Sequence, residues 1–275
     1  MPGSAQNTAL EGMTALVTGG GGGIGSASAA LLARDGAQVL ISGRTRSSLE
    51  EAAARANKLA EGGPGSCRFV VGDALEEDVV VDLVAQASAP TGKIDIAVGV
   101  VGGSAAAPAK LLSQTVEAVE GTYRRNVTGT FLLIKHAGGS MAKSGGGSIV
   151  GISSMQATQT APYLAAYCAS KAGLEMLCRT AADELGEHRV RVNVVRPGLT
   201  QNGSPGHLSE NERVLEAYMV EQPIDRPGQT DDIAGAVRYL AGPESTWVTG
   251  TYILVDGGST LRRFPDLAFW WERPR

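Results

Sequence analysis

The sequence predicts a single α/β domain, a parallel sheet covered by helices on both faces. Three observations carry this. Strand-length apolar runs alternate with helix-length segments from Met13 to Val255, a glycine run closes the first strand, and no linker or internal repeat divides the chain. At 275 residues the chain is long enough for a substantial core, and 43% apolar content with 37 glycines suits a compact fold with many tight turns.

In chain order, Met13 to Thr18 is a short apolar run ending at glycines, as a buried strand does. Thr18-Gly19-Gly20-Gly21-Gly22-Gly23-Ile24-Gly25 follows, then an Ala/Ser/Leu-rich helix to Asp35, stopped by Gly36. A strand, a glycine turn and a helix form the first half of a phosphate-cradling unit. There bare backbone approaches a pyrophosphate and the helix N-terminus offers free N–H groups. Five consecutive glycines are equally what a plain loop contains. Gln38 to Ser42 is the second strand, ended by Gly43-Arg44-Thr45-Arg46, and a helix begins near Ser47 with Glu50 in capping-box spacing. A carboxylate just after this strand would suit the ribose of NAD. Here Arg44 stands there, with Arg46 in reserve, which suits the 2′-phosphate of NADP, although a solvated arginine would look the same.

Cys67 to Val71 makes the third strand, closed by Gly72-Asp73-Ala74; Asp73 fits either an adenine contact or a simple turn. A helix is predicted over Glu76 to Ala87, a strand over Ile94 to Val98, and mostly helix from Tyr123 to His136, with Asn126 inside it. The fifth strand is Ser148 to Ile152, ending in Ser153-Ser154. The helix bearing Tyr167 follows, to about Leu185, and then a sixth strand, Arg189 to Val195, broken by Arg196-Pro197-Gly198. Thr200 to Pro227 reads as an irregular binding loop around one amphipathic stretch, Leu208 to Val220. Asp231 to Ala241 is helical and Thr251 to Val255 is the seventh strand.

A net charge of −4 without a basic block argues against nucleic acid as the partner. Cys67, Cys168 and Cys178 lack metal-ligand spacing and read as reduced thiols, and His136, His188 and His207 are scattered, so no metal is assigned. Residues 1–7 carry no signal-peptide pattern and no apolar run spans a bilayer, so the expectation is a cytoplasmic protein with no membrane partner.

The chemistry centres on Tyr167 and Lys171, four residues apart and therefore one turn apart on one helix face. A phenol with a pKa near ~10 is a poor proton carrier at neutral pH. A neighbouring ammonium favours the phenolate and draws that value down. Alone, the same pair is also what an ordinary helix surface carries.

Taken together, Thr18-Gly-x-x-x-Gly23-Ile24-Gly25, Asn126, Ser154 with Tyr167-x-x-x-Lys171, and Arg191-Val-Asn193-Val-Val-Arg-Pro197-Gly198 resemble the short-chain dehydrogenase/reductase family in order and register. Ser154 precedes Tyr167 by thirteen positions, the family's separation, and Trp247 to Gly258 is similar to its final strand. The resemblance covers Met13 to Gly258 and implies a Rossmann-like, doubly wound sheet of seven parallel strands. It also implies a nicotinamide cofactor, NADP with NAD as the alternative, and a catalytic set of Asn126, Ser154, Tyr167 and Lys171. By the same resemblance Tyr167 exchanges a proton with the substrate oxygen and Ser154 hydrogen-bonds that oxygen. Lys171 lowers the tyrosine pKa and holds the nicotinamide ribose, and Asn126 positions a water. Cofactor contacts implied are Gly19, Gly23, Ile24, Gly25, Arg44, Asp73, Ala74, Gly99, Tyr167, Lys171, Pro197, Gly198 and Thr200. The implied activity is hydride transfer between NADP(H) and a small carbonyl or secondary alcohol, in a homotetramer or dimer.

Two positions depart from the family pattern. Gly99-Val100-Val101-Gly102 stands where Asn-Asn-Ala-Gly is usual, which removes amides that brace the sheet, and Asn202 stands where a threonine closes Pro-Gly-x-x-x-Thr. The altered segment is the one feature favouring a different class, a cofactor-binding redox sensor or scaffold without turnover. Met155, Gln156, Tyr163 and Tyr218 are candidates for facing the substrate. The tail from Phe264 to Trp271 concentrates aromatics in a chain with 5% of them overall. It is expected to pack on a neighbouring subunit near its substrate cleft, or else on its own.

Overall fold

The computed structural model describes residues 8–201 and 211–271. Seven parallel strands form one sheet: β1 (Thr14–Thr18), β2 (Gln38–Gly43), β3 (Ser66–Val71), β4 (Ile96–Gly99), β5 (Gly147–Ile152), β6 (Val190–Pro197) and β7 (Tyr252–Val255). Their order is β3-β2-β1-β4-β5-β6-β7, so the strand order reverses between β1 and β4. A doubly wound sheet opens its binding crevice at that reversal, beyond the strands' carboxyl ends. The helices are α1 (Gly23–Arg34), α2 (Arg46–Leu59), α3 (Glu77–Ser88), α4 (116–144), α5 (Ala165–Leu185), α6 (Glu212–Val220), α7 (Thr230–Ala241) and the short α8 (Ala268–Trp271). A two-residue parallel ribbon, Thr200–Gln201 with Gly228–Gln229, lies apart from the main sheet.

The period-two pattern of the strands divides the core in two. Ala15 and Val17 of β1 face α1, α2 and α7, in a layer with Leu32, Ile41, Leu49, Ile233 and Val237. Leu16 faces the opposite side, with Leu83, Leu133, Leu174 and Val192 from α3, α4, α5 and β6. Every residue of β1 is buried, as a central strand sandwiched by helices must be. Within the first layer α1 is tied to α7 by Asp35, which is fully buried and accepts from Arg238 Nε at 2.5 Å.

Several boundaries differ from the sequence expectation for identifiable reasons. The expected capping box at Ser47 is not formed. Instead α2 starts at Arg46 after an extended Thr45 that makes no side-chain cap, and Glu50 pairs with Arg46 at 3.5 Å. A capping box does occur at α7, between Gln229 and Asp232. The helix expected from Tyr123 to His136 is longer, and residues Arg124–Thr128 and Ile134–Gly138 within it are wound as π turns. The Arg191/Asn193 pair is structural. Arg191 Nη1 donates to Ser245 Oγ at 2.9 Å, and Asn193 Nδ2 donates to the Val248 carbonyl at 2.7 Å, tying β6 to the segment before β7. Asn202, His207 and the start of the predicted amphipathic stretch lie outside the described residues. Among those residues no helix is long and apolar enough to cross a membrane.

The aromatic tail packs on its own chain. Phe264, Leu267, Phe269, Trp270 and Trp271 join Met155, Leu199, Val214 and Tyr218 in a third apolar cluster over α6. Two arginines pin it to the end of α6, where helix carbonyls are free to accept. Arg262 Nη1 donates to the Val220 carbonyl at 2.6 Å, and Arg263 pairs with Glu221 at 2.7 Å.

Candidate active site

Two adjoining cavities of about 480 Å³ each open along the carboxyl ends of the strands. The first is lined by Gly19, Gly21 and Gly22 of the turn after β1, by Arg44 and Ser48, and by Asp73 and Ala74 after β3. Gly19 sits at φ 75°, a left-handed conformation open to glycine without strain, and so turns the chain from β1 into the loop before α1. Gly23 opens α1, and Gly25 packs so tightly on the Gly19 backbone that a Cβ there would strike the carbonyl. Gly25 thus holds the helix N-terminus against the strand instead of lining the cavity. Arg44 is exposed at the end of β2 and forms no ion pair among the described residues, whereas Arg46 is taken up by Glu50 and by the Phe69 ring, 5.6 Å away. Asp73 closes a turn by accepting from Leu75 N at 3.1 Å.

The second cavity holds Ile24, Ser154, Tyr167, Lys171, Pro197, Gly198 and Thr200. Ser154 and Tyr167 both line it, with the Ser154 hydroxyl close enough to favour the ionised phenol. Ser154 Oγ also donates to Gln156 Oε1, which the three-residue 3-10 turn after β5 folds back toward it. Lys171 is 3% exposed, and its Nζ donates to the Ile152 carbonyl at 2.8 Å and lies 5.7 Å from the Tyr167 ring centroid. Burial pulls Lys171 down to about 8. Burial also pushes the Tyr167 phenol up, and the nearby Ser154 hydroxyl, which acts the other way, does not offset it. The expected lowering of the phenol by its lysine neighbour is not seen; desolvation dominates, and at neutral pH the hydroxyl keeps its proton.

Asn126 is completely buried beneath these groups, in the first π turn of α4. Its Oδ1 accepts from Gly103 N at 2.9 Å, and its Nδ2 lies 3.0 Å from the Gly103 carbonyl, the Thr122 carbonyl and Ser170 Oγ. Each polar atom of the amide is engaged by protein, so the side chain acts as a brace between the loop after β4, α4 and α5. Gly102 explains why that loop ends as it does: a Cβ there would stand 2.9 Å from both Asn126 Oδ1 and Lys171 Nζ. Gly99 ends β4 against Leu133 and lines neither cavity.

Sequence reasoning missed Arg125 and Ser170. Arg125 lines the first cavity and donates to the Ser104 carbonyl at 2.5 Å. Its direction depends on the π turn, which no residue pattern announces. Ser170, fully buried, is a link between Asn126 and the Tyr167 carbonyl, to which it donates at 2.8 Å. Beneath the site Glu175, one turn beyond Lys171, accepts from Ser153 Oγ at 2.7 Å and forms a bidentate pair with Arg196.

The family described as enoyl-(acyl carrier protein) reductase matches residues 19–260. A short-chain type dehydrogenase/reductase from Mycobacterium ulcerans superposes with a TM-score of 0.92 at 36% identity, covering 96% of this chain and 95% of that one. L-rhamnose 1-dehydrogenase (NAD(P)(+)) of Sphingomonas sp. (strain SKA58) is 34% identical over 90% of this chain and 96% of its own length. A 7α-hydroxysteroid dehydrogenase solved with NADH and 7-oxo glycochenodeoxycholic acid has a TM-score of 0.84 at 30% identity, over 93% of this chain and 97% of that one.

Proposed function

Since the chain belongs to the short-chain dehydrogenase/reductase family, whose members bind NAD(P), we propose that it moves a hydride between NADP(H) and a carbonyl or secondary alcohol, with Tyr167 as the proton-exchanging group. The observation that carries this is the Ser154–Tyr167 hydroxyl pair, with Lys171 one turn away, in a cavity continuous with a glycine cradle. That cradle fits a dinucleotide. It offers the bare backbone of Gly19, Gly21 and Gly22, the N-terminus of α1 and an unpaired arginine where a 2′-phosphate would come. The nicotinamide, when bound, supplies or takes the hydride.

In the reducing direction Tyr167, protonated at neutral pH, hands its proton to the substrate oxygen. Ser154 donates to the same oxygen as negative charge develops, having exchanged Gln156 for the substrate. Lys171, held by the Ile152 carbonyl, places its charge behind the phenol and stabilises the phenolate left after transfer. Asn126 and Ser170 hold the floor on which Lys171 and Tyr167 stand. Pro197, Gly198 and Thr200, which line the same cavity, would stand beside the nicotinamide.

NADP preference is supported by Arg44 and by the lack of any carboxylate at the end of β2. Homo-oligomerisation is supported by exposed apolar residues on the edge strand and on neighbouring helices, namely Tyr252 and Leu254 of β7, Phe131 of α4 and Met176 of α5. A cytoplasmic setting is supported by three free thiols, with Cys67 and Cys178 pushed by burial up to about 12 and therefore unreactive. The test is NADPH consumption with a panel of ketones and 3-oxoacyl thioesters. Turnover of one or more is expected; binding of NADPH with no turnover across the panel would move the reading to a sensor or scaffold. In the same assay Arg44→Asp is expected to shift preference from NADPH toward NADH by at least about tenfold, ~1.4 kcal/mol, and an unchanged ratio would remove Arg44 from the cofactor site.

A further inference from the structure

We infer that Glu175, in its buried pair with Arg196, is a positioning residue for the reacting end of the site: it holds the strand end that carries Ser154 and steadies the charge of Lys171. The inference rests on the oxidoreductase reading and adds a residue to that same site.

A buried ion pair is by itself a weak argument for stability, since apolar side chains of similar volume often replace one without loss. Where its bonds lead is more informative. Glu175 Oε1 accepts from Ser153 Oγ at 2.7 Å and from Arg196 Nε at 2.6 Å, and Oε2 accepts from Arg196 Nη2. Ser153 is the residue before Ser154, and its backbone N donates to the Val195 carbonyl of β6 at 2.8 Å. Arg196 is the residue before Pro197 and Gly198, which line the second cavity. One carboxylate of α5 therefore joins the ends of β5 and β6 where both strands run into the cavity wall. The Tyr252 ring of β7 covers the guanidinium, its centroid 3.4 Å from Cζ, and neither partner's side chain is more than 10% exposed. Water competes little for such bonds, so the Ser153 tie is firmer than the same contact at a surface.

The second link is electrostatic. Glu175 lies one helical turn beyond Lys171, on the same face. The titratable and charged groups around Lys171 are Tyr167, Glu175 and Cys178 of α5, Arg196 of β6 bound to Glu175, and Tyr218 of α6 in the same cavity. Asn126 of α4 and Ser154 after β5 bring no charge. Burial draws Lys171 down to about 8, while Cys178 and Glu175 act upward. Burial also pushes Cys178 up to about 12, so near pH 8 it is an uncharged thiol and Glu175 is the anion that favours the ammonium. Without that carboxylate Lys171 would give up its proton more readily, and the charge behind the phenol would go with it.

The test follows the Lys171 side-chain resonance by NMR in the full chain with isotope-labelled lysine, assigned by its loss in Lys171→Met. The parent is expected to titrate at about 8. Glu175→Gln keeps the shape, removes the anion and leaves the Arg196 cation, so the midpoint should fall by at least about half a pH unit. That variant strands a buried guanidinium and can cost folding. Glu175→Gln/Arg196→Gln, which removes both charges, is therefore measured beside it, and its midpoint should lie between those of the single variant and the parent. Ser153→Ala cuts the tie to the strand end without stranding a charge. With the ketone that the parent reduces fastest, it should lower kcat about tenfold while KM for NADPH stays within about twofold. A double variant that titrates with the parent, or a Ser153→Ala chain with parental kcat, would overturn the inference. The NMR titration needs no turnover, so the two levels separate. The expected order of midpoints in a chain that reduces no ketone would sink the oxidoreductase reading and spare the hold of Glu175 on Lys171. Ketone reduction with all midpoints alike would do the reverse.

Discussion

Lys171 is the residue whose environment departs most from what four-residue spacing suggests. Spacing puts it beside Tyr167, but the fold also buries it, and burial disfavours the ammonium. The folded chain therefore releases this proton near pH 8, against the ordinary lysine value of 10.5. Between those values the unfolded chain binds more protons than the folded one, so the Lys171 contribution makes stability rise with pH across that window. Below pH 8 the penalty of the buried charge is fully present. Relative to Lys171→Met, the parent is expected to gain melting temperature as pH goes from about 8 to 10. A constant difference across that range in thermal denaturation would show that Lys171 titrates normally. Nothing in the sequence foretold this, because residue spacing reports who is adjacent and not how much water remains. The same limit applies to Asn126, whose type and position were legible but whose use as a brace appears only with Gly103 and Ser170 in place.

Among the elements, strands and helices were read correctly wherever apolar period and glycine stops agreed, with ends displaced by one or two residues. The misses follow from tertiary contacts. The π turns of α4 leave no sequence mark, and α2 begins at Arg46, which reaches the Phe69 ring of β3, without a Ser47 cap. Helix-to-helix ties are also invisible in the sequence, and a buried one joins α1 to α7. Asp35 is shared by Arg34 at 2.6 Å and Arg238 at 2.5 Å, and Arg238 continues to Glu244 at 2.8 Å. Removing the carboxylate leaves a buried guanidinium with only one anionic partner. Asp35→Ala is expected to cost about 3 kcal/mol in urea denaturation, at the low end for broken buried pairs because Glu244 remains. A loss below about 1 kcal/mol would mean that water replaces the carboxylate freely.

At the scale of the molecule, the fold divides two tasks between the halves of the sheet. The turns after β1, β2 and β3 form the glycine cradle, and the segments after β4 and β5 and the end of β6 bring Gly102, Ser154 and Pro197 around Tyr167. The family motifs made this division legible in the sequence, since they lie in chain order at the strand ends. The tail was legible only as an aromatic excess. Whether it served a neighbour or its own chain depended on Arg262 and Arg263 meeting the end of α6, a contact without local signal. Because the glycine cradle and Tyr167 lie apart, the cofactor and proton roles proposed for them can be separated by experiment. Tyr167→Phe removes one hydroxyl and keeps the ring in its place. The account predicts an NADPH dissociation constant within about threefold of the parent and a turnover lower by roughly two to four powers of ten, the scale of general acid–base catalysis. Turnover within a few-fold of the parent, with NADPH binding intact, would contradict it and take Tyr167 out of the reaction.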